Sequence, residues 1–371
     1  MGAPLSDTER LARLRLARSD NIGPVTFRDL LQHCGSAVAA IDALPDLAAR
    51  GGTKRAVKIA TAADAEAELS KLTRLDARLL VWGDGDYPAR LAAIDPPPPV
   101  IAVMGSAELL ARPSIAIVGS RNASAAGRRI AGDMAKELGT EGFVVVSGLA
   151  RGIDTAAHRA ALATGTAAVL AGGLDIVYPD ENRELQALIA DGGTLVSEMP
   201  PGTSPQARHF PRRNRLISGL SLAVIVVEAA LRSGSLITAR FALEQGRDVF
   251  AVPGSPLDPR AGGSNRLIKD GAPLVETAED VIAALATPTG GRWREPGPST
   301  YDGPGSDLAV SREIDDGDRA ALLAALGPTP MPLDEILRQS GVSVPVARAV
   351  LLELELAGRL HRDPGNRVSL V

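Results

Sequence analysis

The stretch SIAIVGSRNASAAG, Ser114 to Gly127, passes from a continuously apolar run through a turn of small and polar residues into a helical pattern. A strand that is apolar at every position is typical of a sheet covered on both faces. The same alternation of apolar run and helical pattern recurs as far as residue 285. It predicts an α/β fold with a Rossmann-like, doubly wound parallel sheet and right-handed crossovers.

The predicted strands of this core are SIAIVG, GFVVVSG, AAVLAGG, TLVSE, LAVIVVEA and DVFAVPG, and the helical patterns between them cover 123–138, 152–164, 182–191 and 232–246. Ahead of them, ARLLVWGDGDYPARLAAIDPPPPVIAVMGS contains two short apolar strands and a run of four prolines. Proline is excluded from helix interiors, so this segment is predicted to be an extended connection into the core.

Three further regions flank this core, which we assign to residues 76–285. Residues 1–75 read as a helical domain, in which the turn SDNIGPV suggests either a phosphate-binding helix-hairpin-helix or a packing domain. Residues 286–313 are rich in Gly and Pro without periodicity, which predicts a flexible linker. Residues 314–371 carry three helical patterns and an end rich in strand formers, an order that resembles a winged helix-turn-helix domain.

The composition describes an ordinary globular protein of 371 residues, with 45% hydrophobic and 23% charged residues. Its single cysteine, Cys34, excludes an internal disulfide framework and a cysteine-based zinc site, and it suits a reducing cytoplasm. The apolar run from Leu222 to Val227 stops at Glu228 and is too short to cross a bilayer. We also expect no secretory leader.

Positive charge is concentrated in one stretch, although the net charge is −4 and the pI is about 5.7. Between Glu198 and Glu228 there is no acidic residue. Arginine forks suit bidentate contacts to phosphate oxygens. The cations of this basic patch, which we place on a loop beside the sheet, are Arg208, Arg212, Arg213 and Arg215.

Small residues follow the predicted strands. In a parallel sheet the carboxyl ends of all strands meet at one edge, where ligands bind. Glycine turns let backbone amides approach an anion, and the next helix adds its positive N-terminal end. The sequence therefore predicts a phosphate-binding crevice at this edge, with Arg121 at its lip. The turns are Gly119-Ser120-Arg121, Ser147-Gly148, Gly172-Gly173, Ser197-Glu198, Glu228-Ala229 and Pro253-Gly254.

Motifs for the common phosphate enzymes are missing from the sequence. GSRNASAAG stands where a dinucleotide fingerprint would lie, and there is no Gly-Lys pair, HExxH or GxSxG. Asp154 and His158 would share a helix face, a spacing that is more typical of a local helix contact than of a metal site. Glu198 and Glu228 end strands at the ligand edge without an evident acid–base partner. We therefore expect no metal, no cofactor and no catalytic set.

Ordered motifs identify a family resemblance. IVGSR, VVSGLARGIDTAAH, AGGLDIVYPDEN, VSEMPPG, FPRRNRLISGLS, VVEA, SGSLITARFALEQGRDVFAVPGS and GSNRLIKDGA follow one another over about 160 residues. They resemble the DNA-processing protein A family (DprA, also called Smf). The resemblance implies an extended Rossmann-like core that binds single-stranded DNA, forms a homodimer and helps load the RecA recombinase during natural transformation. It also implies that the protein is not an enzyme.

Residue roles carry over where the motifs match. Lysines are common in the family's DNA pocket, whereas Lys136 and Lys269 are the only lysines of this core, so we expect arginines to replace them. Phe210 is either a residue of the hydrophobic core or a contact to DNA, and both alternatives remain open. The resulting DNA-binding candidates are Gly119, Ser120, Arg121, Ser147, Gly148, Gly152, Arg208, Phe210, Arg212, Asn214, Arg215, Ser233, Gly234 and Ser235.

These features predict sequence-tolerant, salt-dependent binding of single strands, strengthened by dimerisation. The helix predicted over 344–357 of the winged-helix domain carries Arg348 against Glu353 and Glu355, which favours protein contact over duplex binding. Two alternatives remain open. One is a Rossmann-like nucleotide phosphoribohydrolase, although GGTLVSEMPPG has the wrong order for its PGGxGTxxE segment. The other is a duplex-binding regulator that acts through the winged helix.

Overall fold

A computed structural model describes residues 4–53, 57–286, 315–363 and 367–371. Apart from residue 286, the predicted linker at 286–313 lies outside these residues. The described chain divides into two compact units. The first unit holds residues 68–82 and 86–286, and the second holds residues 4–67, 83–85 and the described residues from 315 onward.

The first unit contains an eight-stranded sheet with the order β1-β2-β6-β5-β4-β3-β7-β8. Strands β3 to β8 run parallel, as predicted, while β1 and β2 add an antiparallel extension beside β6. The strands are β1 (Ala77–Val81), β2 (Val100–Gly105), β3 (Ser114–Gly119), β4 (Val144–Ser147), β5 (Thr166–Leu170), β6 (Thr194–Ser197), β7 (Ala223–Val227) and β8 (Asp248–Ala251).

Helices cover both faces of this sheet, which is why its central strands are apolar throughout. Ala116 of β3 packs toward one face with Leu216 and Ala239, whereas Ile117 packs toward the other with Met134 and Ala157. The helices of this unit are α5 (Ala89–Ala92), α6 (Ala125–Thr140), α7 (Ile153–Ala161), α8 (Arg183–Gly192), α9 (His209–Leu220), α10 (Ser235–Glu244), α11 (Gly262–Lys269) and α12 (Ala278–Ala286).

The strand order reverses at β3, which lies between β4 and β7. The helices that follow β3 and β7, α6 and α10, pack on opposite faces of the sheet. Such a reversal leaves a crevice between the two strand ends, and ligands of open α/β sheets bind there. The turn that begins at Gly119 and the segment from Glu228 to Ser235 therefore border one cleft.

The basic patch does not lie on a loop, and that prediction was wrong. His209 to Leu220 form α9, with Pro211 in its first turn, where the missing amide of proline removes no helical hydrogen bond. The apolar residues Leu216, Ile217 and Leu220 anchor this helix to the sheet. The arginines of the patch therefore point in directions fixed by the helical repeat.

The second unit combines the N-terminal helices with the C-terminal domain. Ser6 and Ser36 cap α1 and α3 by accepting the amides of Glu9 and Ala39 at 3.2 and 3.1 Å. The C-terminal domain has the helix and strand order of a winged helix, and its sheet order is β10-β11-β9. The elements are α1 (Asp7–Ala17), α2 (Pro24–Cys34), α3 (Ala37–Arg50), α13 (Asp316–Ala325), β9 (Met331–Pro332), α14 (Leu333–Ser340), α15 (Val344–Leu356), β10 (Leu360–Asp363) and β11 (Arg367–Leu370). Helix α4 (Ala62–Arg74) spans the boundary between the units.

These observations confirm the predicted fold class: a helical N-terminal domain, an extended Rossmann-like core and a C-terminal winged-helix domain. No helix in the described ranges has both the length and the apolar character needed to cross a membrane.

Candidate functional site

The turn after β3 approaches its neighbours so closely that only glycine fits its first position. A Cβ atom on Gly119 would lie 1.8 Å from the carbonyl oxygen of Val227 and 2.6 Å from Cγ1 of Ile153. Ser120 accepts the amide of Asn122 at 3.2 Å, which tightens the turn. Arg121 follows and is exposed. The turn therefore brings the backbone of β3 against β7 and projects an arginine into solvent.

Internal hydrogen bonds hold the turn after β4. Asp154 Oδ2 accepts the amides of Gly148 and Ala150 at 3.1 and 3.2 Å. Ser147 is fully buried, and its hydroxyl donates to the carbonyl oxygen of Ile117 at 2.6 Å. These groups have internal partners, so they shape the turn and do not offer amides to an anion. The amide of Gly148 is therefore engaged inside the turn, and the DNA contacts of Ser147 and Gly148 stay predictions.

Gly152 links the first two turns. Its φ of +80° lies in the left-handed region, and a Cβ atom there would lie 2.3 Å from the carbonyl oxygen of Ser120. The amide of Ile153 donates to the same Ser120 oxygen at 3.2 Å. Ser120 and the start of α7 are thus fixed to each other, which sets the position of Arg121 relative to the turn after β4.

His158 completes the internal support of the second turn. Its Nε2 accepts the amide of Leu149 at 3.3 Å, and its Nδ1 lies 2.7 Å from the hydroxyl of Thr166. That hydroxyl donates to the carbonyl oxygen of Val145 at 2.7 Å, so it accepts from a protonated Nδ1. Burial, with the nearby Arg213 guanidinium, lowers the pKa of His158 to about 3. Both Asp154 and His158 therefore serve as structural anchors.

Arg213 is a buried cation beneath the site. Its Nη1 donates to the carbonyl oxygens of Gly148 and Val169, the latter at 3.0 Å. Burial lowers its pKa to about 10, so the guanidinium stays charged at neutral pH. Burial raises the pKa of the Asp154 carboxyl, and the Arg213 charge opposes that rise. A Cβ atom on Gly148 would lie 1.6 Å from Arg213 Nη1, so the glycine makes room for the cation.

The remaining residues of the basic patch separate in space. Arg208 and Arg212 are exposed at the first turn of α9. Arg215 points elsewhere: its guanidinium pairs with Glu198 at 3.6 Å and donates to the carbonyl oxygen of Pro96. Asn214 donates from Nδ2 to the carbonyl oxygen of Gly234 at 3.2 Å, which joins α9 to the start of α10.

Phe210 is half-buried and lies close to two cations. The Cζ atoms of Arg121 and Arg213 are 5.1 and 5.9 Å from its ring centroid, within cation–π range. The ring of Tyr178 lies 5.6 Å away between centroids and is tilted by 57°. Because Phe210 lies at the cleft, the structure favours a DNA contact over a core residue for it.

The third turn precedes α10. The hydroxyls of Ser233 and Ser235 are 2.7 Å apart, and Ser233 Oγ also accepts the amide of Ser235 at 3.3 Å. Gly234 is exposed at the helix N-cap. A helix N-terminus at this position adds positive potential to the cleft.

Two recesses open on either side of Phe210. The first, of about 410 Å³, is lined by the turn after β4, by Phe210 and by the segment from Ile176 to Glu181. The second, of about 700 Å³, lies between the turn after β3, the start of α9 and the segment from Ala230 to Thr238. Arg121, Phe210 and Arg213 line both recesses. The second recess occupies the cleft where the strand order reverses. The predicted residues Gly119, Ser120, Asn214, Ser233, Gly234 and Ser235 line it as well.

Two site residues were missed by sequence reasoning. Tyr178 stands 46% exposed in the first recess, and Arg232 is exposed in the second. Arg232 lies beyond Glu228, outside the patch without acidic residues. Tyr178 belongs to the motif AGGLDIVYPDEN, which served only for the family resemblance. Its distance from Phe210 along the chain gave no signal that the two rings meet.

The two carboxylates that end strands at this edge have structural partners. Glu228 accepts the amide of Ser124 at 2.8 Å and the Ser124 hydroxyl, and Ser124 in turn caps α6 by accepting the amide of Gly127 at 2.9 Å. Glu198 pairs with Arg215, as described above. In the parts of the chain that the structure describes, no group of three or more His, Cys, Asp or Glu residues could hold a metal ion.

Comparison with family models matches all three domains. Residues 78–286 match the model described as DNA recombination-mediator protein A. Residues 7–70 match a DprA-like N-terminal HHH domain, and residues 307–366 match a DprA winged helix domain.

Curated relatives and solved structures agree with these matches. Protein Smf from Escherichia coli is 44% identical over 289 residues, which cover 76% of this chain and 75% of the relative. DNA processing protein DprA from Bacillus subtilis is 50% identical over 202 residues, covering 54% of this chain and 68% of the relative. The X-ray structure of DprA from Streptococcus pneumoniae superposes with a TM-score of 0.64 at 37% identity, covering 76% of this chain and 98% of that one. DprA from Helicobacter pylori, whose structure is described for its single-stranded DNA binding mode, gives a TM-score of 0.52 at 29% identity, covering 57% and 97%.

Proposed function

Because this chain belongs to the DNA recombination-mediator protein A family, we propose that it binds single-stranded DNA at the cleft between the turns after β3 and β7. The arrangement of Arg121, Phe210 and Arg213 carries this proposal, since one aromatic ring with two cations in cation–π range borders both recesses. The H. pylori relative is described for its single-stranded DNA binding, which supports the same ligand here.

Phosphates bind in the second recess. Arg121 and Arg232 supply guanidinium groups there, and the N-terminus of α10 adds backbone dipole. Arg213 is largely buried at the edge of both recesses and contributes positive potential there. Because these groups read charge and not base edges, the binding tolerates any sequence and weakens as salt is raised.

An unstacked base occupies the first recess. Tyr178 and Phe210 present ring surface in this recess, whose lining combines small and apolar residues with charged ones. Every base has a π-face, so stacking adds affinity without selecting a sequence. Aromatic residues make up only 3% of the chain, so the placement of two of them here is informative.

The wider role follows from the family. We propose that the protein acts on incoming DNA in natural transformation, that it forms a homodimer through its Rossmann-like core, and that it helps load RecA onto the bound strand in the cytoplasm. The relatives named DNA processing protein support the first of these roles. We further propose that it acts by binding alone. The pairing of Glu198 with Arg215 and of Glu228 with Ser124 supports this proposal.

The test is the affinity for a labelled oligothymidine across a salt series. Arg121→Ala should weaken binding and reduce the slope of log affinity against log salt by about 0.7, the contribution of one phosphate contact on a single strand. Arg129→Ala is the matched control, since Arg129 is 85% exposed on α6, pairs with Asp133 and lines neither recess. Equal affinities and slopes for wild type and Arg121→Ala would overturn the proposed site.

A further inference from the structure

Helix α15 is the third helix of the winged-helix domain, the position that reads the major groove in duplex-binding members of this architecture. One of its faces packs inside its own domain. Val346, Val350, Leu351 and Leu354 join the core formed with α13, α14 and the small sheet.

The opposite face of α15 is buried as well, but outside that core. Ala349, Leu352, Glu353 and Leu356 are 7%, 2%, 1% and 0% exposed. Helix α15 packs there against α2 and α3 of the N-terminal domain, within the same compact unit. A Cβ atom on Gly51, at the end of α3, would lie 2.0 Å from the carbonyl oxygen of Glu353. The two backbones therefore approach as closely as a residue without a side chain allows.

Each domain caps a helix of the other. The last carbonyl groups of a helix lack intrahelical partners, and cationic side chains satisfy them well. At the end of α3, the carbonyl oxygens of Arg50 and Gly51 accept from Arg319 and Arg359 of the winged-helix domain, both at 3.1 Å. At the end of α15, the carbonyl oxygen of Leu356 accepts from Asn21 Nδ2 at 3.2 Å.

Ion pairs complete the contact. The buried Glu353 carboxylate meets Arg50 of α3 at 3.4 Å and Arg319 of α13. Arg362 bridges Asp29 of α2, at 3.3 Å, and Glu355 of α15, at 2.9 Å. Removing one partner of such a pair leaves a poorly solvated charge, so the network favours one orientation of the two domains.

We propose that the third helix of the winged-helix domain is a protein-docking surface whose partner is the N-terminal helical domain of the same chain. Through this helix, the N-terminal domain and the winged-helix domain form one cooperative unit. The helix does not bind the major groove of duplex DNA. Its charge agrees, because Arg348 is its only basic residue against the two acidic residues Glu353 and Glu355.

Hydrogen exchange of the full chain tests the docking. Gly51→Ser introduces a side chain where α3 meets α15, at a φ of −68° that every residue adopts. Gly23→Ser is the matched control: it lies at the N-cap of α2, where nothing comes within 4 Å of an added Cβ and serine is a favourable cap. Gly51→Ser should accelerate exchange by roughly tenfold or more in both α3 and α15, while the strands of the core remain protected. Acceleration in only one of the two helices, or in neither, would refute mutual docking.

A milder variant serves if Gly51→Ser lowers the yield of folded protein. Asn21→Gly removes only the cap of α15, and glycine accepts the left-handed backbone of residue 21, where φ is 61°. Asn21→Gly should accelerate hydrogen exchange in both α2 and α15, by a smaller factor than Gly51→Ser.

Duplex binding supplies the second readout. Wild type, Gly51→Ser and Arg348→Ala should show the same weak affinity for a short labelled duplex. If Gly51→Ser gains at least tenfold affinity and Gly51→Ser with Arg348→Ala loses it again, α15 is an occluded groove reader and the docking role is wrong. That outcome leaves the single-strand site at Arg121 unaffected, so the two proposals fail separately.

Discussion

The guanidinium of Arg121 lies over the ring of Phe210, with Arg121 Cζ 5.1 Å from the ring centroid. The two side chains come from different parts of the sheet edge, the turn after β3 and the first turn of α9. Their contact fixes an exposed cation at the boundary of the two recesses.

Replacing Phe210 by leucine tests the aromatic contribution. The variant keeps apolar bulk but loses stacking with a base and with Arg121, so single-strand affinity should fall by about 1–3 kcal/mol. The salt slope should change little because no phosphate contact is removed. Equilibrium binding of a labelled oligothymidine measures both quantities.

Phe210→Tyr is the control for that experiment, since it retains the ring and should bind nearly as wild type. If the leucine and tyrosine variants bind equally well, the ring has no role in holding a base.

Alanine substitutions of Arg215 and Arg121 should have different effects, the first on the stability of the fold and the second on the binding of single strands. Arg215→Ala leaves Glu198 and the carbonyl oxygen of Pro96 without their partner, so it should lower the free energy of unfolding by about 1–3 kcal/mol. Its salt slope for single strands should match wild type, because the side chain is only 14% exposed and lines neither recess. Urea unfolding and a salt titration on the same preparation decide the matter.

Arg121→Ala is the reciprocal case and should bind weakly with unchanged unfolding. A reduced salt slope for Arg215→Ala at full stability would place the strand along α9 instead of in the cleft.

Two glycines of α6 should respond oppositely to alanine. Gly132 has only distant neighbours, the nearest at 3.9 Å, so Gly132→Ala should stabilise the protein by about 0.5–1 kcal/mol through helix propensity. Gly127→Ala would place its Cβ 2.5 Å from the Glu228 carboxyl carbon and displace it from Ser124. The loss of this capping contact should cost about 1 kcal/mol.

Thermal and urea unfolding of both variants give the comparison. If Gly127→Ala is more stable than wild type, Glu228 can move aside without a loss of stability and has no structural role at the cleft.

His158 should make the fold sensitive to acid. Its pKa is about 3 in the folded protein against 6.5 ordinarily, so between these values the unfolded chain binds more protons. Stability therefore falls as the pH is lowered through 6.5, by at most about 1.4 kcal/mol per pH unit. The neighbouring Asp154, whose pKa is raised from 3.8, acts in the opposite sense in the range just above pH 3.8.

His158→Gln removes this link between proton binding and stability. The difference in the free energy of unfolding between wild type and His158→Gln should therefore become smaller as the pH goes from 7 to 5. Urea unfolding at several pH values measures the difference, in which the contributions of the other histidines cancel. A pH-independent difference would mean that the pKa of His158 is the same in the folded and the unfolded protein.

The sequence was sufficient for the parts of this protein that depend on local pattern. The apolar runs predicted the parallel strands, and the small residues after β3 placed Arg121 at the ligand edge. It was insufficient where tertiary contacts decide. Pro211 suggested a loop, but proline in a first helical turn is compatible with α9. The turn Ser147-Gly148 was expected to offer backbone amides to an anion, but Asp154 accepts the amide of Gly148.

The arginine patch shows the same limit. Four arginines close together in sequence indicated one surface, yet the helical repeat directs Arg213 into the interior and Arg215 toward Glu198. Tyr178 could be placed beside Phe210 only by the fold. No sequence pattern indicates which side chains of separate turns meet.

The contact between α3 and α15 also constrains the order of events during synthesis. The N-terminal helices leave the ribosome first, but the arginines that cap α3 and the helix that covers it are encoded roughly 300 residues later. At about 5–20 residues per second, that interval lasts on the order of 15–60 s. Throughout it, the apolar face of α2 and α3 is without the helix that finally covers it, while the core between them is being synthesised. The domain that starts the chain is therefore among the last to reach its final packing.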